Sequence, residues 1–335
     1  MTVGVRPKNL KKKYLSIVWM SFHRRPFTLS QLVFRGPLYF LGYKIGKNKL
    51  LRPVEYVLKF LHTLGIIFLE KPSLVIVQSP PAFAPIAVMF YSLFTRLQYA
   101  VDAHTSAITG FWFKVPFHQL SLKKAAVVFV HNRYLKVLLE AKGIKSIVLG
   151  DPLPIFNPSD SFKLPSGRFN FVVLLSPGMK QKGGVIDVML EVAAAIPEAN
   201  FYFVGKYKEK PTKYASNAIF TGYLSNDEYE SILIHADAVV VLQEREDREF
   251  VQSCRAMEAT SALRPLIITD TSLNRELFGQ GAVLVNHEFQ DIYRACTTVM
   301  RNRDKYIEGI KRVRKLLEDR WQNEYNALKE RLSID

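Results

Sequence analysis

Short apolar runs rich in β-branched residues alternate with longer segments of helical periodicity along the whole chain. Apolar runs of roughly four to eight residues between turn signals are typical of buried strands, whereas apolar positions three or four apart are typical of helices. The predicted strands are 14–20, 74–78, 99–103, 126–130, 147–149, 169–175, 201–204, 219–221, 238–242, 266–269 and 282–285. The predicted helices are 53–70, 84–97, 132–142, 184–196, 226–235, 252–262, 289–301 and 303–331.

A proline-rich segment, 151–158, interrupts this alternation with Pro152, Pro154 and Pro158. Proline continues neither a helix nor a central strand, so we predict a linker here. The alternation on both sides predicts an α/β fold with parallel sheets covered by helices, and hence two Rossmann-like domains facing a central cleft. Ligands of such sheets bind at the carboxyl ends of the strands, so we expect the ligand-binding residues directly after strands.

The composition excludes several classes of protein. Of 335 residues, 48% are hydrophobic and 12% aromatic, which is incompatible with wholesale disorder or a fibrous repeat. The two cysteines, Cys254 and Cys296, cannot form a disulfide framework, and no CxxC or HxxxH spacing indicates a metal site. We therefore expect a reducing compartment and predict that the protein uses no metal or other cofactor.

The net charge of +16 is concentrated near the start of the chain, where residues 1–60 carry 13 Lys or Arg, including Arg25 and Lys59, and one acid. Such a basic segment seeks an anionic surface, either nucleic acid or an acidic lipid leaflet. Apolar residues at 37–41 and 66–69 interleave with the cations, which favours an interfacial membrane contact. Two alternatives stay open: apolar residues that face a core beneath a solvated basic face, or a nucleic-acid contact.

The apolar segments are too short to predict a membrane-spanning helix. A spanning helix needs roughly 18–20 apolar residues, and the longest candidate, 82–94, is shorter and contains Pro85. Segment 14–22 follows three lysines but ends at 23–26 without a small-residue cleavage site, so we interpret it as a strand rather than a signal peptide. We expect a cytoplasmic protein associated peripherally with the membrane.

A glycine-rich turn follows the first predicted strand of the second domain and opens a helix. It reads LSPGMKQKGG, residues 175–184, with Gly178, Gly183, Lys180 and Lys182. Small residues and a helix N-terminus suit a diphosphate, and the lysines add positive charge. The segment lacks both the Walker Lys-Ser/Thr and the GxGxxG fingerprint. The alternative is an ordinary strand–helix turn with exposed lysines.

A charged loop followed by a small-residue turn, 243–259, opens a later helix and contains Glu249, Phe250, Ser253 and Glu258. A polar ligand at a strand end fits this arrangement, because a carboxylate such as that of Glu258 can accept hydrogen bonds from two ribose hydroxyls. Taken alone, the loop is more typical of a solvated surface with Glu258 facing outward.

Three turns of the first domain carry candidate acceptor-side chemistry. Asp102 and His104 end one strand, and a histidine there can touch a substrate while a nearby carboxylate sets its tautomer. A lone histidine at such a position is often structural. Pro80 and Pro81 follow another strand and His131 a third, so we expect all three to line the acceptor side of the cleft.

These motifs together resemble the GT-B-fold glycosyltransferases of the family 4 type. LSPGMKQKGG, FTGYLSNDEYESILIHADAVVVL and CRAMEATSALRPLIITD carry the resemblance in the second half, and VQSPPAF and VDAHTSA are similar to the dolichol-linked mannosyltransferases that begin N-glycan assembly. The resemblance covers nearly the whole chain. It implies an acceptor-binding domain at 1–152, a nucleotide-sugar-binding domain at 153–302, and an amphipathic helix at 303–335 that returns toward the first domain.

The resemblance also assigns roles to residues. It implies diphosphate binding by Lys182 with Lys180 in place of an arginine, ribose binding by Glu258, an approach of His104 to the transferred sugar, and Asp102 as its neighbour. The family's paired-Glu motif ends at Glu258, and Phe250 stands where its first glutamate usually lies, with Glu249 beside it.

The predicted function is transfer of a sugar from a nucleoside-diphosphate sugar to a lipid-linked or surface-glycan acceptor at an anionic membrane surface. Without a metal, lysines and helix-terminal N–H groups can stabilise the leaving diphosphate. The alternatives are a catalytically silent GT-B-like scaffold subunit, a sugar-nucleotide epimerase and a nucleic-acid binder. The basic, apolar front of the chain argues against the epimerase, and no recognition motif supports nucleic acid as a partner.

Overall fold

The computed structural model describes residues 14–46, 49–156, 160–175, 184–206, 214–244 and 248–332. The strands are β1 (Tyr14–Val18), β2 (Leu38–Phe40), β3 (Leu74–Ser79), β4 (Gln98–Ala103), β5 (Val127–Val130), β6 (Ser146–Val148), β7 (Phe169–Leu174), β8 (Ala199–Val204), β9 (Ala218–Gly222), β10 (Ala238–Val241), β11 (Leu266–Thr269) and β12 (Val283–Val285). The helices are α1 (Arg24–Leu29), α2 (Arg52–Glu70), α3 (Phe83–Leu93), α4 (Thr105–Ile108), α5 (His118–Lys124), α6 (Arg133–Glu140), α7 (Val185–Ala195), α8 (Asn226–His235), α9 (Cys254–Ser261), α10 (Ser272–Phe278), α11 (Phe289–Arg301) and α12 (Arg303–Leu332).

The first structural unit holds a six-stranded sheet in the order β2-β1-β3-β4-β5-β6, with every pair parallel. Strands buried on both faces read as continuous apolar runs, and β3 is buried along its whole length. The strand order reverses between β1 and β3. In open parallel sheets a ligand crevice opens at the carboxyl ends of the strands at this point.

The second unit holds a parallel six-stranded sheet in the order β12-β11-β10-β7-β8-β9, which is the Rossmann order. Its reversal point lies between β7 and β10. The core contains stacked aromatic rings, with the centroids of Phe171 and Phe201 4.8 Å apart. Helix α8 begins with a capping box, because Ser225 accepts from the backbone N–H of Glu228 and the Glu228 carboxylate accepts in return.

The chain divides between Asp151 and Pro152, one residue before the predicted boundary. The first unit also takes in the residues from Trp321 onward, whereas 303–335 are predicted as a segment of their own. Leu328, on the apolar stripe of α12, is buried in the core of the first unit. The return of the C-terminal helix to the first domain is thereby confirmed.

The predicted α/β class with two Rossmann-like domains is confirmed, although the sequence pattern missed β2. Three residues are too short for a periodicity signal, and the run around them was interpreted as membrane-facing. That interpretation is wrong for several of the apolar residues near the start of the chain. Those buried in the core are Phe34, Leu38, Leu41, Ile66 and Ile67.

Candidate functional site

Three neighbouring strands of the first sheet end in a cluster of polar side chains. Gln78 comes from the end of β3, Asp102 from β4 and His104 directly follows β4. The Nε2 atoms of Gln78 and His104 are 2.7 Å apart, and His104 Nε2 lies 3.4 Å from Asp102 Oδ2. His131 follows β5, and its ring meets that of His104 edge to face at 4.4 Å. The structure therefore brings together Asp102, His104 and His131.

Arg25, from helix α1, links this cluster by hydrogen bonds to Leu149 and Asp151, near the boundary of the first unit. Its Nε donates to both carboxylate oxygens of Asp102 at 3.1 and 3.0 Å. Nη1 donates to Asp151 at 2.7 Å and Nη2 to the Leu149 carbonyl at 2.7 Å. Arg25 is buried, so its assignment to a basic membrane-facing region is wrong. Lys59 is corrected in the same way, because it is buried and paired with Glu55 at 2.6 Å.

The Arg25 network fixes the charges of its carboxylates. Burial would raise the pKa of the Asp102 carboxyl, but the Arg25 guanidinium and the nearby His104 outweigh it and hold that pKa well below its ordinary value. The pKa of Asp151 is lowered against burial by the same guanidinium. Burial opposes the charge on Arg25, but the two carboxylates raise its pKa. The cluster thus contains fixed opposite charges at neutral pH.

Two of the neighbouring histidines are held neutral. Burial, Arg25 and His104 lower the pKa of His131 to about 3. Burial and His104 lower the pKa of His23 to about 4, and its ring lies 5.1 Å from that of His104. Among the described residues, Nδ1 of His131 and Nδ1 of His23 are buried and accept or donate no hydrogen bond. Both rings therefore pack around His104 as uncharged groups.

The cluster has the composition of a metal site but not its electrostatics. One ligand atom each from Asp102, His104 and His131 lie within 4.8 Å of one another. Arg25 already occupies the Asp102 carboxylate, and a guanidinium at 3.0 Å repels a cation at the same oxygens. The residues present do not fit a metal ion, and the predicted absence of a metal stays a prediction.

A polar pocket of about 630 Å³ lies at the reversal point of the first sheet. Trp19 to Ser21, which follow β1, line it together with Pro80 and Pro81, which follow β3. Lys44 and Arg52 add positive charge to its wall. The two prolines thus line a concave surface at the strand ends, where their acceptor-side role was predicted.

Helix α2 beside this pocket buries several polar residues and exposes several apolar ones. Its buried side carries Lys59, Thr63 and Glu70 beside Ile66 and Ile67, and Thr63 accepts from the indole of Trp19 at 3.0 Å. Its exposed apolar residues include Phe68, 64% exposed, and Leu69, 79% exposed. The other exposed apolar residues of α2 are Val54, Val57, Leu58 and Leu61. Contiguous exposed apolar surface of this kind marks a contact with a partner, a lipid or a membrane.

In the second unit, predicted donor-binding residues also follow strands. Glu258 lies in α9, and its Oε2 accepts from the hydroxyl of Tyr229, in α8, at 2.5 Å. Ser253 caps the same helix by accepting from the backbone N–H of Ala256 at 3.3 Å. Glu258 is therefore oriented by a phenol that the sequence analysis did not single out.

The other residues of this loop have structural partners. Glu249 and the half-buried Phe250 lie in a short 3₁₀ helix, and Glu249 accepts from the backbone N–H of Ser272 at 2.9 Å, at the start of α10. Glu244 accepts from the N–H of Val185 at 2.7 Å, so a carboxylate lies at the N-terminus of α7. The diphosphate was predicted at that helix start. The predicted diphosphate contacts Gly178, Lys180, Lys182 and Gly183 lie outside the described residues.

The family model described as glycosyl transferases group 1 matches residues 171–302. This segment is therefore similar to glycosyl transferases group 1. The matched segment runs from within β7 to the end of α11 and includes Tyr229 and Glu258. No curated protein matches the chain.

Solved structures resemble the whole chain. Sucrose-phosphate synthase from Thermosynechococcus elongatus is 13% identical, with a TM-score of 0.69 over 95% of this chain and 98% of that one. Anabaena HepE, solved with UDP-glucose, is 13% identical with a TM-score of 0.63 over 96% and 99%. UDP-GlcNAc 2-epimerase from Methanocaldococcus jannaschii is 14% identical with a TM-score of 0.58 over 91% and 99%. These likenesses show the fold: the chain has the GT-B architecture.

Sequence reasoning missed Arg25 and Tyr229 as site residues. Their signals were present but ambiguous, since Arg25 stood in a basic run and Tyr229 in an amphipathic helix. Across the described ranges, no helix combines the length and the apolar character needed to cross a bilayer.

Proposed function

We propose that this chain is a glycosyltransferase that moves a sugar from a nucleoside-diphosphate sugar to a lipid-linked or surface-glycan acceptor at an anionic membrane surface. One observation carries the proposal: a segment similar to glycosyl transferases group 1 shares the chain with a second Rossmann-like sheet whose strand ends gather Asp102, His104 and His131. The lipid and membrane part is supported by the exposed apolar side of α2.

The donor is assigned to the matched segment, 171–302. Glu258, oriented by Tyr229, accepts from the ribose hydroxyls, and Lys182 with Lys180 meets the diphosphate. These cations and the N-terminal N–H groups of α7 stabilise the negative charge that develops on the leaving diphosphate, without a metal. Glu244 now lies against Val185 at that helix start and gives way to the diphosphate when the donor binds.

His104 is the group nearest to the reaction. Asp102 and Gln78 both contact Nε2 of His104, at 3.4 and 2.7 Å, and so orient its ring. Neutral His23 and His131 exclude water around the ring. Arg25 is a positioning residue that keeps Asp102 ionised.

The test is release of nucleoside diphosphate from a panel of sugar nucleotides, with and without a membrane glycolipid extract and in the presence of EDTA. We expect release from one sugar nucleotide that depends on the extract, resists EDTA and falls about 100-fold or more in His104→Ala, in line with loss of a general acid–base group. Arg96→Gln, at an exposed position of the first unit, is the matched control.

Other outcomes identify other functions. Conversion of the sugar nucleotide into an isomer, without diphosphate release or need for an acceptor, would make the chain an epimerase. Binding of a sugar nucleotide without turnover, under all acceptor conditions, would favour the scaffold subunit.

A further inference from the structure

An apolar groove adjoins the polar pocket at the strand ends of the first sheet. The groove is about 560 Å³ and runs between α2, the start of α3 and the 3₁₀ helix Phe111–Lys114. Its aromatic wall contains Phe83, whose ring lies 5.1 Å from that of Tyr56 and 6.2 Å from that of Trp112. The other apolar lining residues are Pro53, Val57, Phe60, Leu61 and Phe111.

The groove and the pocket are two parts of one concave surface, because Arg52, Tyr56 and Trp112 line both. The pocket is lined by charged residues, whereas the groove is mainly apolar. The charged residues of the pocket are Lys44, Arg52, Lys59 and Glu55, a net charge of +2, since the single carboxylate of Glu55 pairs with Lys59 and also lies in the field of Arg52. A cationic pocket that opens into an aromatic groove is complementary to an amphiphile with an anionic head.

We propose that this surface binds a lipid phosphate with a single hydrocarbon chain, with the phosphate against Arg52 and Lys44 and the chain in the groove. The inference rests on the proposed function, since it gives the acceptor a place to bind: the head lies beside Pro80 and Pro81, on the sheet edge that carries His104. A volume of about 560 Å³ is that of a site for one drug-sized ligand, which suits one chain rather than two.

The groove shares Val57 and Leu61 with the exposed apolar side of α2 but not the C-terminal end of that helix. Phe68 and Leu69 lie at that end and do not line the groove. The groove therefore holds one lipid molecule, whereas the exposed end of α2 contacts the leaflet from which that lipid comes.

The probe is farnesyl phosphate below its aggregation concentration, and the readout is tryptophan fluorescence, since Trp19 lines the pocket and Trp112 lines both parts. Farnesol lacks the phosphate, methyl phosphate lacks the chain, and dihexanoyl phosphatidic acid has two chains. We expect farnesyl phosphate to bind about tenfold or more tightly than any of the three, because the chain and the charged head each contribute at least that factor.

Val57→Asp should weaken farnesyl phosphate binding about tenfold or more, because it places a carboxylate in the groove. Val54→Asp is the matched control: the same residue type, on the same helix and similarly exposed, at 50% against 58%, but outside the groove. Arg52→Gln should weaken binding of farnesyl phosphate and leave farnesol unchanged. Thermal unfolding of each variant shows that it is folded.

The proposal is overturned if farnesyl phosphate does not bind to folded protein, if Val57→Asp and Val54→Asp behave alike, or if the two-chain lipid binds as tightly. Parallel titration with sugar nucleotides separates this failure from that of the proposed function. Nucleotide binding and turnover without farnesyl phosphate binding would overturn the inference alone. Farnesyl phosphate binding without any nucleotide binding would refute the proposed function and leave a lipid-binding site.

Discussion

Replacement of Arg25 by glutamine should destabilise the first unit by about 3–5 kcal/mol, the usual cost of removing one partner from a buried ion pair. Arg25→Gln removes the counter-charge of Asp102 and Asp151 and a charged donor to the Leu149 carbonyl. Typical domains have only about 5–15 kcal/mol of stability, so the loss is a large fraction of the total.

Tryptophan fluorescence during urea unfolding measures this loss in the first unit by itself. The three tryptophans, Trp19, Trp112 and Trp321, all belong to that unit. Arg96→Gln, which removes an exposed cation, should stay within about 0.5 kcal/mol of the wild type.

A double-mutant cycle makes the reasoning specific to the ion pair. In the Asp102→Asn background, Arg25→Gln should cost less than in the wild type, with a coupling energy of about 1–3 kcal/mol. A loss below about 1 kcal/mol for Arg25→Gln, equal to that of Arg96→Gln, would refute the account. It would place Arg25 in solvent, as the charge pattern alone suggests.

Two further predictions concern pH and membrane contact. The pKa values of His23 and His118 are lowered to about 4 and that of His131 to about 3, in each case chiefly by burial. Each of these histidines is neutral in the folded state and protonates below pH 6.5 when unfolded. The free energy of unfolding of the first unit should therefore fall by up to about 4 kcal/mol between pH 8 and pH 5.5, as measured by urea titration at both pH values. Equal stability at both pH values would contradict the buried neutral rings. Phe68→Ser combined with Leu69→Ser should lower the partition of the protein into anionic vesicles about tenfold or more in sedimentation assays, because two exposed apolar side chains are lost. Ile155→Ser, at an exposed site of the second unit, should leave the partition unchanged, and equal effects of the two would remove α2 from the contact.

The architecture followed from the sequence because parallel sheets leave a strong pattern. Strand β10 is apolar throughout and β3 is apolar over its first four residues, and helices α8 and α11 occupy the predicted ranges 226–235 and 289–301 without change. Short elements left no such pattern. Strand β2 has three residues and α4 four, so pairing and packing with neighbours determine them rather than local periodicity.

The site was predictable only in part. A histidine after a strand marks a sheet edge, so the sequence could place His104 and His131 together. Charge carries no such positional information, since a buried arginine and a solvated one look alike in a basic run. Arg25 and Lys59 were therefore misassigned, and the polar residues that α2 buries became visible only in the structure.

Nucleotide binding tests the central claim, use of a nucleoside-diphosphate sugar, most directly. Isothermal titration with a panel of nucleoside diphosphates, in EDTA, should show that one nucleotide binds selectively to the wild type. Glu258→Gln and Lys182→Ala should each weaken that binding about tenfold or more, because each removes a charged hydrogen-bond partner, while Arg96→Gln should not. Absence of binding by every nucleotide, or binding that neither Glu258→Gln nor Lys182→Ala affects, would contradict the account.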